Sequence, residues 1–287
     1  MARCLLVYFS QSGSTAKVAD RIAAGLRESG YQVDLHNLFR NPASPSPLGY
    51  DLLGVGSPVY YYRLPFNVSD YVNGLPNLRS MPVFSFVVWA TYRREAGNYL
   101  SSALIRRGGR VIASFNSKGA GLFFGYIRQG YRFSVEHPNA DDLLQAESFG
   151  RDVAAQAAGG RSVAGAAESP ASIIERLERL FTSRPLARLF YSRLFSVDSR
   201  RCRGCGHCAE TCPTGNIVVE GRGHPEWGRN CLLCLTCETE CPNDAITSPL
   251  SWPVFSPFMM YNVYHASRDP ALSHVRVTHS HGRTKTL

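Results

Sequence analysis

From residue 1 to about residue 158 the chain repeats one pattern: a short apolar run, a polar turn, then apolar positions at helical spacing. The apolar runs 3–9, 31–38, 51–60, 82–90 and 110–116 are β-capable and nearly continuous, as strands covered on both faces of a parallel sheet need to be. Between them Ala16, Val18, Ala19, Ile22, Ala23 and Leu26 recur at helical spacing, and Gly30 stands where a glycine closes a helix. Further helices are expected at 94–107, closed by Gly108 and Gly109, and at 140–158. Strands alternating with helices predict an α/β fold, a doubly wound parallel sheet of order 2-1-3-4-5. A ligand is then expected beyond the carboxyl ends of the strands, at the switch point between the first and third.

The pattern then changes. Residues 159–170 are rich in Gly, Ala and Ser and read as a linker. Ile173, Ile174, Leu177, Leu180 and Phe181 predict one short amphipathic helix, and Leu186, Leu189, Phe190 and Leu194 another. Both are expected to cement two domains together. Residues 196–250 form a small cysteine-rich α+β domain and 251–287 a C-terminal extension. In that extension Pro253 and Pro257, with Pro249 before them, oppose a long helix, and the aromatic run around them is expected to fold back over the protein's own surface, the alternative being that it binds a membrane surface or partner. The final stretch, with His274, His279 and His281, reads as a frayed tail.

Candidate chemistry begins with the cysteines. Cys202, Cys205, Cys208 and Cys212 precede Pro213, and 29 positions on Cys231, Cys234, Cys237 and Cys241 precede Pro242. Each copy reads C-x2-C-x2-C-x3-C-P. Three thiolates so spaced can hold three corners of a cubane, and the fourth corner must come from elsewhere in the chain. Paired zinc knuckles or a disulfide framework are the alternatives; zinc ordinarily uses C-x2-C pairs with long spacers and often histidine. Residues 197–248, with CPTGNI and CPNDAI, resemble the bacterial two-cluster ferredoxins. The resemblance implies two [4Fe-4S] clusters, one held by Cys202, Cys205, Cys208 and Cys241, the other by Cys231, Cys234, Cys237 and Cys212.

At the head of the chain, the first strand runs into Ser10, Gln11, Ser12, Gly13, Ser14 and Thr15 and then a helix. Backbone N–H groups and hydroxyls at a helix start form an anion site, although such a loop can also be an ordinary helix cap. The loop is similar to the phosphate loop of flavodoxins, [ST]-x-[ST]-G-[NS]-T. The stretch DLLGVGSPVYYYRLP is similar to the same family's second flavin loop, which implies that Pro58, Val59, Tyr60, Tyr61 and Tyr62 lie against an isoalloxazine. Ala90, Thr91 and Tyr92 would open the third flavin loop, although ATYRREAGN lacks the glycines common there. One phosphate site without a dinucleotide glycine fingerprint fits FMN. Residues 117–138 make an unusually long link, expected to be either a solvated connection or a binding loop for an anionic group or acidic partner near the flavin.

Composition adjusts this picture in two ways. The formal charge is +9, but the basic residues lie mainly outside 196–250, and neither a nucleic-acid motif nor a basic-aromatic stacking surface is present. Eight of nine cysteines fall in the doubled run and only Cys4 is left over, within an apolar strand. The start, MARCLLVYF, lacks a secretory pattern and no stretch of about 20 apolar residues appears, so a cytoplasmic, reducing location is expected. The whole chain resembles the flavodoxin-ferredoxin fusion proteins. This implies an iron-sulfur flavoprotein relaying electrons between two clusters and FMN, with a redox partner protein or a small anionic acceptor. A dedicated electron carrier and a redox-sensing interaction protein are the alternatives. The catalytic residues are unknown from sequence; Tyr62, Tyr92 and His137 are candidate proton donors.

Overall fold

The computed structural model describes residues 1–41, 45–159 and 172–287. The expected linker at 159–170 lies almost wholly outside them. Its elements, in chain order, begin with β1 (Arg3–Tyr8), α1 (Ser14–Glu28), β2 (Gln32–Asn37), β3 (Leu52–Pro58), α2 (Phe66–Gly74), β4 (Pro82–Trp89), α3 (Ala96–Arg106) and β5 (Arg110–Lys118). Next come α4 (Phe124–Arg128), β6 (Tyr131–Phe133), α5 (Ala140–Gly159) and α6 (Ile173–Phe181). The remainder is β7 (Ser196–Val197), α7 (His207–Glu210), β8 (Ile217–Val218), β9 (Glu226–Trp227), α8 (Thr236–Thr239), β10 (Ile246–Thr247), α9 (Ser256–Ala266), β11 (His274–Ser280) and β12 (Arg283–Thr286). The chain divides into two compact units, residues 1–120 with 136–172, and residues 121–135 with 173–287.

In the first unit, β2-β1-β3-β4-β5 form one sheet in that order, every pair parallel. The sheet order and strand positions are those the apolar runs predict. Helix α1 sends Val18, Ala19, Ile22, Ala23 and Leu26 into a core shared with Leu6, Phe84 and Ile112. Two pairs of glycines set the closeness of packing. On β3, a Cβ at Gly54 would fall 2.3 Å from the ring of Phe84, and one at Gly56 2.1 Å from the ring of Phe86. Their β4 partners therefore lie flat over bare backbone. Between α1 and α5, a Cβ on Gly25 would meet the Glu147 carbonyl at 2.0 Å, and one on Gly150 the Ile22 carbonyl at 2.3 Å.

The second unit carries the cysteine repeat, and the repeat is structural as well as sequential. Helix α8 lies 29 positions after α7, and β10 lies 29 positions after β8. Strands β7 and β10 pair antiparallel, as do β8 and β9. The backbone repeats too. Gly204, Gly206 and Gly215 have positive φ in the first copy, and Leu233, Leu235 and Asp244 have it at the matching positions of the second.

Three expectations are corrected here. Residues 121–135 of the long link are counted with the second unit, where β6 pairs antiparallel with β11. The final stretch is not a frayed tail: β11 and β12 form a hairpin whose two-residue loop, His281–Gly282, has positive φ at both positions. That is the type I′ geometry matching strand twist, so the hairpin has a local cause. Lastly, the face that α6 buries is not its apolar one. Ile173, Leu177, Leu180 and Phe181 are exposed, whereas Glu175 and Glu178 are buried. The aromatic extension does fold onto its own unit: α9 buries Met259, Asn262, Val263 and Ala266.

Candidate functional site

The loop after β1 is held from below. The Ser10 N–H donates to Asn37 Oδ1 at 3.1 Å, Asn37 Nδ2 donates to the Ser10 carbonyl at 3.3 Å, and Ser10 Oγ accepts from the Ala16 N–H at 3.1 Å. Ser10 and Thr15 are buried. Gly13 takes φ 91° immediately before α1 and has no side chain with which to cap it, the Ala16 N–H of the first turn being met by Ser10 Oγ instead. A Cβ there would meet nothing within 4 Å, so this glycine serves the left-handed turn and not a crowded neighbour. Apart from the Ala16 N–H, the start of α1 presents backbone N–H groups and the positive end of the helix dipole, which is the chemistry of a phosphate site.

The second and third loops reach the same place. Tyr60 and Arg63 exchange two backbone hydrogen bonds of 2.9 and 3.0 Å around Tyr61 and Tyr62, both at positive φ, another two-residue turn of the primed type. The Tyr60 hydroxyl donates to Gln11 Oε1, tying the second loop to the first, and the Tyr60 ring meets Phe9 edge-on at 6.2 Å. Pro58, Val59, Tyr60 and Tyr61 are partly exposed, while Tyr62 turns inward and is buried. The Val59 N–H donates to the Val88 carbonyl at 3.0 Å, and the loop beyond β4 carries Ala90, Thr91 and Tyr92, all partly exposed. The Arg94 guanidinium stacks 4.7 Å over the Tyr92 ring. A Cβ on Gly119, after β5, would lie 3.1 Å from Ser14 Cβ and 2.5 Å from Val88 Cγ1. Asn37 and Gly119 are contributors that the sequence reading missed; neither sits in a motif, and each matters only through what packs against it. His137 stands apart from this set, its Nδ1 bonded to Asp142 and its Nε2 3.4 Å from Glu136.

In the second unit Cys202, Cys205, Cys208 and Cys241 line one pocket, with Arg203 and Pro242 beside them. Cys205 is exposed and Cys208 and Cys241 are buried. The other four form a second group: Cys212 acts electrostatically on each of Cys231, Cys234 and Cys237. Burial, reinforced by neighbouring thiols, pushes Cys231 up to about 12 and Cys234 and Cys208 up to about 11. Such thiols stay protonated until a cation draws the protons off, as iron coordination does. Both groups are supported alike. The Asn216 N–H donates to Cys212 Sγ at 3.2 Å, and the Ala245 N–H, 29 positions on, to Cys241 Sγ at 3.3 Å. The Leu233 N–H reaches Cys231 Sγ at 3.3 Å and the Thr236 hydroxyl Cys234 Sγ at 3.4 Å. Hydrogen bonds to sulfur are one of the levers on a cluster's potential. Among the described residues, no three His, Cys, Asp or Glu side chains are arranged to hold a single metal ion. What fits these thiols to clusters is their grouping and the hydrogen bonds that reach their sulfurs. Cys4 is separate, buried in the first unit's core with its thiol pushed up to about 12.

A parallel five-stranded sheet of this order with a hydroxyl-rich loop at the start of α1, followed by a cysteine repeat, defines an α/β flavin-type domain joined to an iron-sulfur domain. Comparison with protein families makes that specific: residues 5–129 match the flavodoxin domain and residues 195–218 the 4Fe-4S binding domain. The chain thus carries a flavodoxin domain followed by a 4Fe-4S ferredoxin-type domain, as in a flavodoxin-ferredoxin fusion, and is an electron-transfer iron-sulfur flavoprotein. The second cysteine copy lies beyond the matched residues. No curated protein matches the chain. Among solved structures, a flavodoxin from the domain Archaea is 18% identical, with TM-score 0.42, over 54% of this chain and 99% of its own. Flavodoxin 1 from Bacillus cereus is 17% identical, with TM-score 0.42, over 56% of this chain and 100% of its own. The flavodiiron protein from Giardia intestinalis is 17% identical, with TM-score 0.41, over 55% of this chain and 36% of its own. No helix among the described residues is long and apolar enough to cross a membrane.

Proposed function

We propose that the protein relays electrons between two [4Fe-4S] clusters and FMN, and that a small acceptor is reduced at the flavin. When bound, FMN exchanges one or two electrons and each cluster one, which lets single-electron carriers serve two-electron chemistry. The observation that carries the reading is that Cys202, Cys205 and Cys208 share their pocket with Cys241 of the other copy. A cluster confined to the first copy would take its fourth thiolate from Cys212; a pair of interlocked clusters takes it from Cys241. The matching N–H···S bonds from Asn216 and Ala245 support treating the second copy as a cluster site in its own right.

In this reading Ser10, Gln11, Ser12, Gly13, Ser14 and Thr15 hold the FMN phosphate on the start of α1. Tyr60 and Tyr61, with Tyr92, flank the ring, and Pro58, Val59, Ala90 and Thr91 shape its edge. Cys202, Cys205, Cys208 and Cys241 hold one cluster and Cys231, Cys234, Cys237 and Cys212 the other. The exposed Cys205 makes the first cluster the one open to an external redox protein. That observation also favours a second reading, in which the chain is an electron carrier for a larger enzyme.

Protein purified without oxygen should hold about eight iron and eight sulfide per chain together with one FMN. After dithionite reduction, stopped-flow mixing with small oxidants should reoxidise the flavin directly. Reoxidation only through added redox proteins would favour the carrier; zinc, four iron, or no flavin would overturn the relay.

A further inference from the structure

Helix α6 is oriented against the rule for a helix in water. Its outward positions are Ile173, Leu177, Leu180 and Phe181, with Ile173 77% and Leu180 61% exposed, while Glu175 and Glu178 face inward at 4% and 6%. The inward face is a built one. Asn262 Nδ2, from α9, donates to Glu178 Oε2 at 2.7 Å between two buried residues, and Phe181 meets Phe258 at 6.0 Å. The polar seam fixes which way the helix faces, and it leaves the apolar side out.

Its neighbour repeats the arrangement. Helix α9 exposes Met260, Tyr261 and Tyr264, and the turn before it exposes Trp252 and Val254. Exposed apolar residues scattered singly need no explanation, but two packed helices showing apolar faces mark a surface that something covers. Charge says what. Within 172–195 and 249–268 the acidic residues are Glu175 and Glu178 alone, and both are buried. Arg176 on α6 itself, and Arg193 and Arg268 in the same two segments, are exposed, and the Arg268 guanidinium lies 3.7 Å over the Tyr264 ring. An apolar face edged by arginine, with tyrosine and tryptophan between, suits the headgroup boundary of a bilayer carrying negative charge. A second copy of this chain is a poor occupant, because it would bring arginine against arginine.

We infer that α6 and α9 form a membrane-surface patch, by which the iron-sulfur unit rests on a bilayer containing anionic lipid without crossing it. The apolar side chains enter the acyl boundary and the arginines meet the phosphates. The buried pair Glu178 and Asn262 keeps the two helices turned for that contact.

The test is flotation of the anaerobically purified full-length protein with phosphatidylcholine vesicles, with and without phosphatidylglycerol. The wild type should float with the anionic vesicles, float poorly with neutral ones, and come off as salt is raised. The double variant Leu177→Gln, Leu180→Gln should lose about tenfold or more in partitioning, since the polar amides no longer enter the acyl boundary. Arg176→Gln and Arg193→Gln should each weaken binding about fivefold at low salt. Because every replaced side chain is exposed, unchanged iron content and circular dichroism should accompany these losses. Three results would overturn the inference: no flotation with anionic vesicles, flotation that the variants leave unchanged, or a patch-dependent dimer in sedimentation velocity.

Discussion

Arg128 Nη1 lies 3.0 Å from Glu238 Oε1, joining α4 to the residue that follows Cys237. The carboxylate is buried and also accepts from the Ser251 hydroxyl at 3.0 Å. Burial holds the Glu238 carboxyl above its ordinary value of 4.5, against the opposing pull of the Ser248 hydrogen bond, the Arg128 charge and Ser251. Arg128→Ala leaves a buried carboxylate with only uncharged partners, the Ser248 and Ser251 hydroxyls and the Ser248 N–H. We expect it to cost about 1–3 kcal/mol, read as a lower melting midpoint of the second unit by circular dichroism.

The same residue gives a pH signature. A carboxyl whose value is raised on folding binds its proton more tightly in the folded chain, so its contribution to stability is lost as pH rises from 4.5 toward the folded value. Glu238→Gln has no proton to lose. Its stability relative to the wild type should therefore climb as pH is raised across that interval and level off above it. A relative stability that is flat or falls with pH would mean that the site does not destabilise the ionised form.

How much of this was legible in the sequence differs by element. The sheet was legible because its strands are long, continuous apolar runs, each followed by helical spacing that only one architecture accommodates. The doubled cysteine run was legible because its spacing repeats after 29 positions, while the crosswise partition is what the resemblance to two-cluster ferredoxins implies. The β6 strand was not. It is three residues long, too short for any periodicity, and its partner β11 begins at His274, far along the chain. Helix α6 failed differently. Ile173, Leu177, Leu180 and Phe181 do define one face, as the spacing says, but periodicity gives a face and not the direction in which it points. Only the bond from Asn262 to Glu178 reveals that the polar side is the inner one. Similarly, Tyr60, Tyr61 and Tyr62 look equivalent in the sequence, and only the turn they form separates a buried Tyr62 from its two neighbours.

The hydrogen bond from Tyr60 to Gln11 should matter for flavin binding in a measurable way. It couples two loops from different strands, so that FMN meets both already in place. Removing the hydroxyl with Tyr60→Phe keeps the ring and its edge contact with Phe9. A neutral hydrogen bond contributes about 0.5–1.5 kcal/mol, so FMN affinity should fall roughly 2- to 13-fold by fluorescence titration of apoprotein. Equal affinities for Tyr60→Phe and wild type would show that the loops are ordered without it.

The crossing of α1 and α5 is the tightest helix contact in the first unit's core. Gly25 and Gly150 each face a carbonyl of the other helix, and an added methyl would lie 2.0 or 2.3 Å from oxygen. Backbone cannot step aside as a flexible side chain can, so the helices must separate. Gly25→Ala and Gly150→Ala should each cost about 1–3 kcal/mol or more, lowering the melting midpoint by several degrees. Gly74→Ala, at the end of α2 with nothing within 4 Å of its Cβ, is the control and should be close to neutral.

The crosswise cysteine partition proposed above predicts which double variants add and which do not. Cys241→Ser removes a thiol from the pocket that Cys202 also lines, whereas Cys234 belongs with Cys212. Each of Cys241→Ser, Cys202→Ser and Cys234→Ser should lower iron from about eight to about four per chain, since one lost thiolate releases one cluster. Combining Cys241→Ser with Cys202→Ser should remove no further iron, because both act on the same cluster. Combining Cys241→Ser with Cys234→Ser should strip the protein of both clusters, although these two residues lie in the same sequence copy. If each copy instead held its own cluster, the outcomes would exchange: Cys241 with Cys234 would leave about four iron, and Cys241 with Cys202 none. Iron analysis of the two double variants, purified side by side without oxygen, decides between the two arrangements.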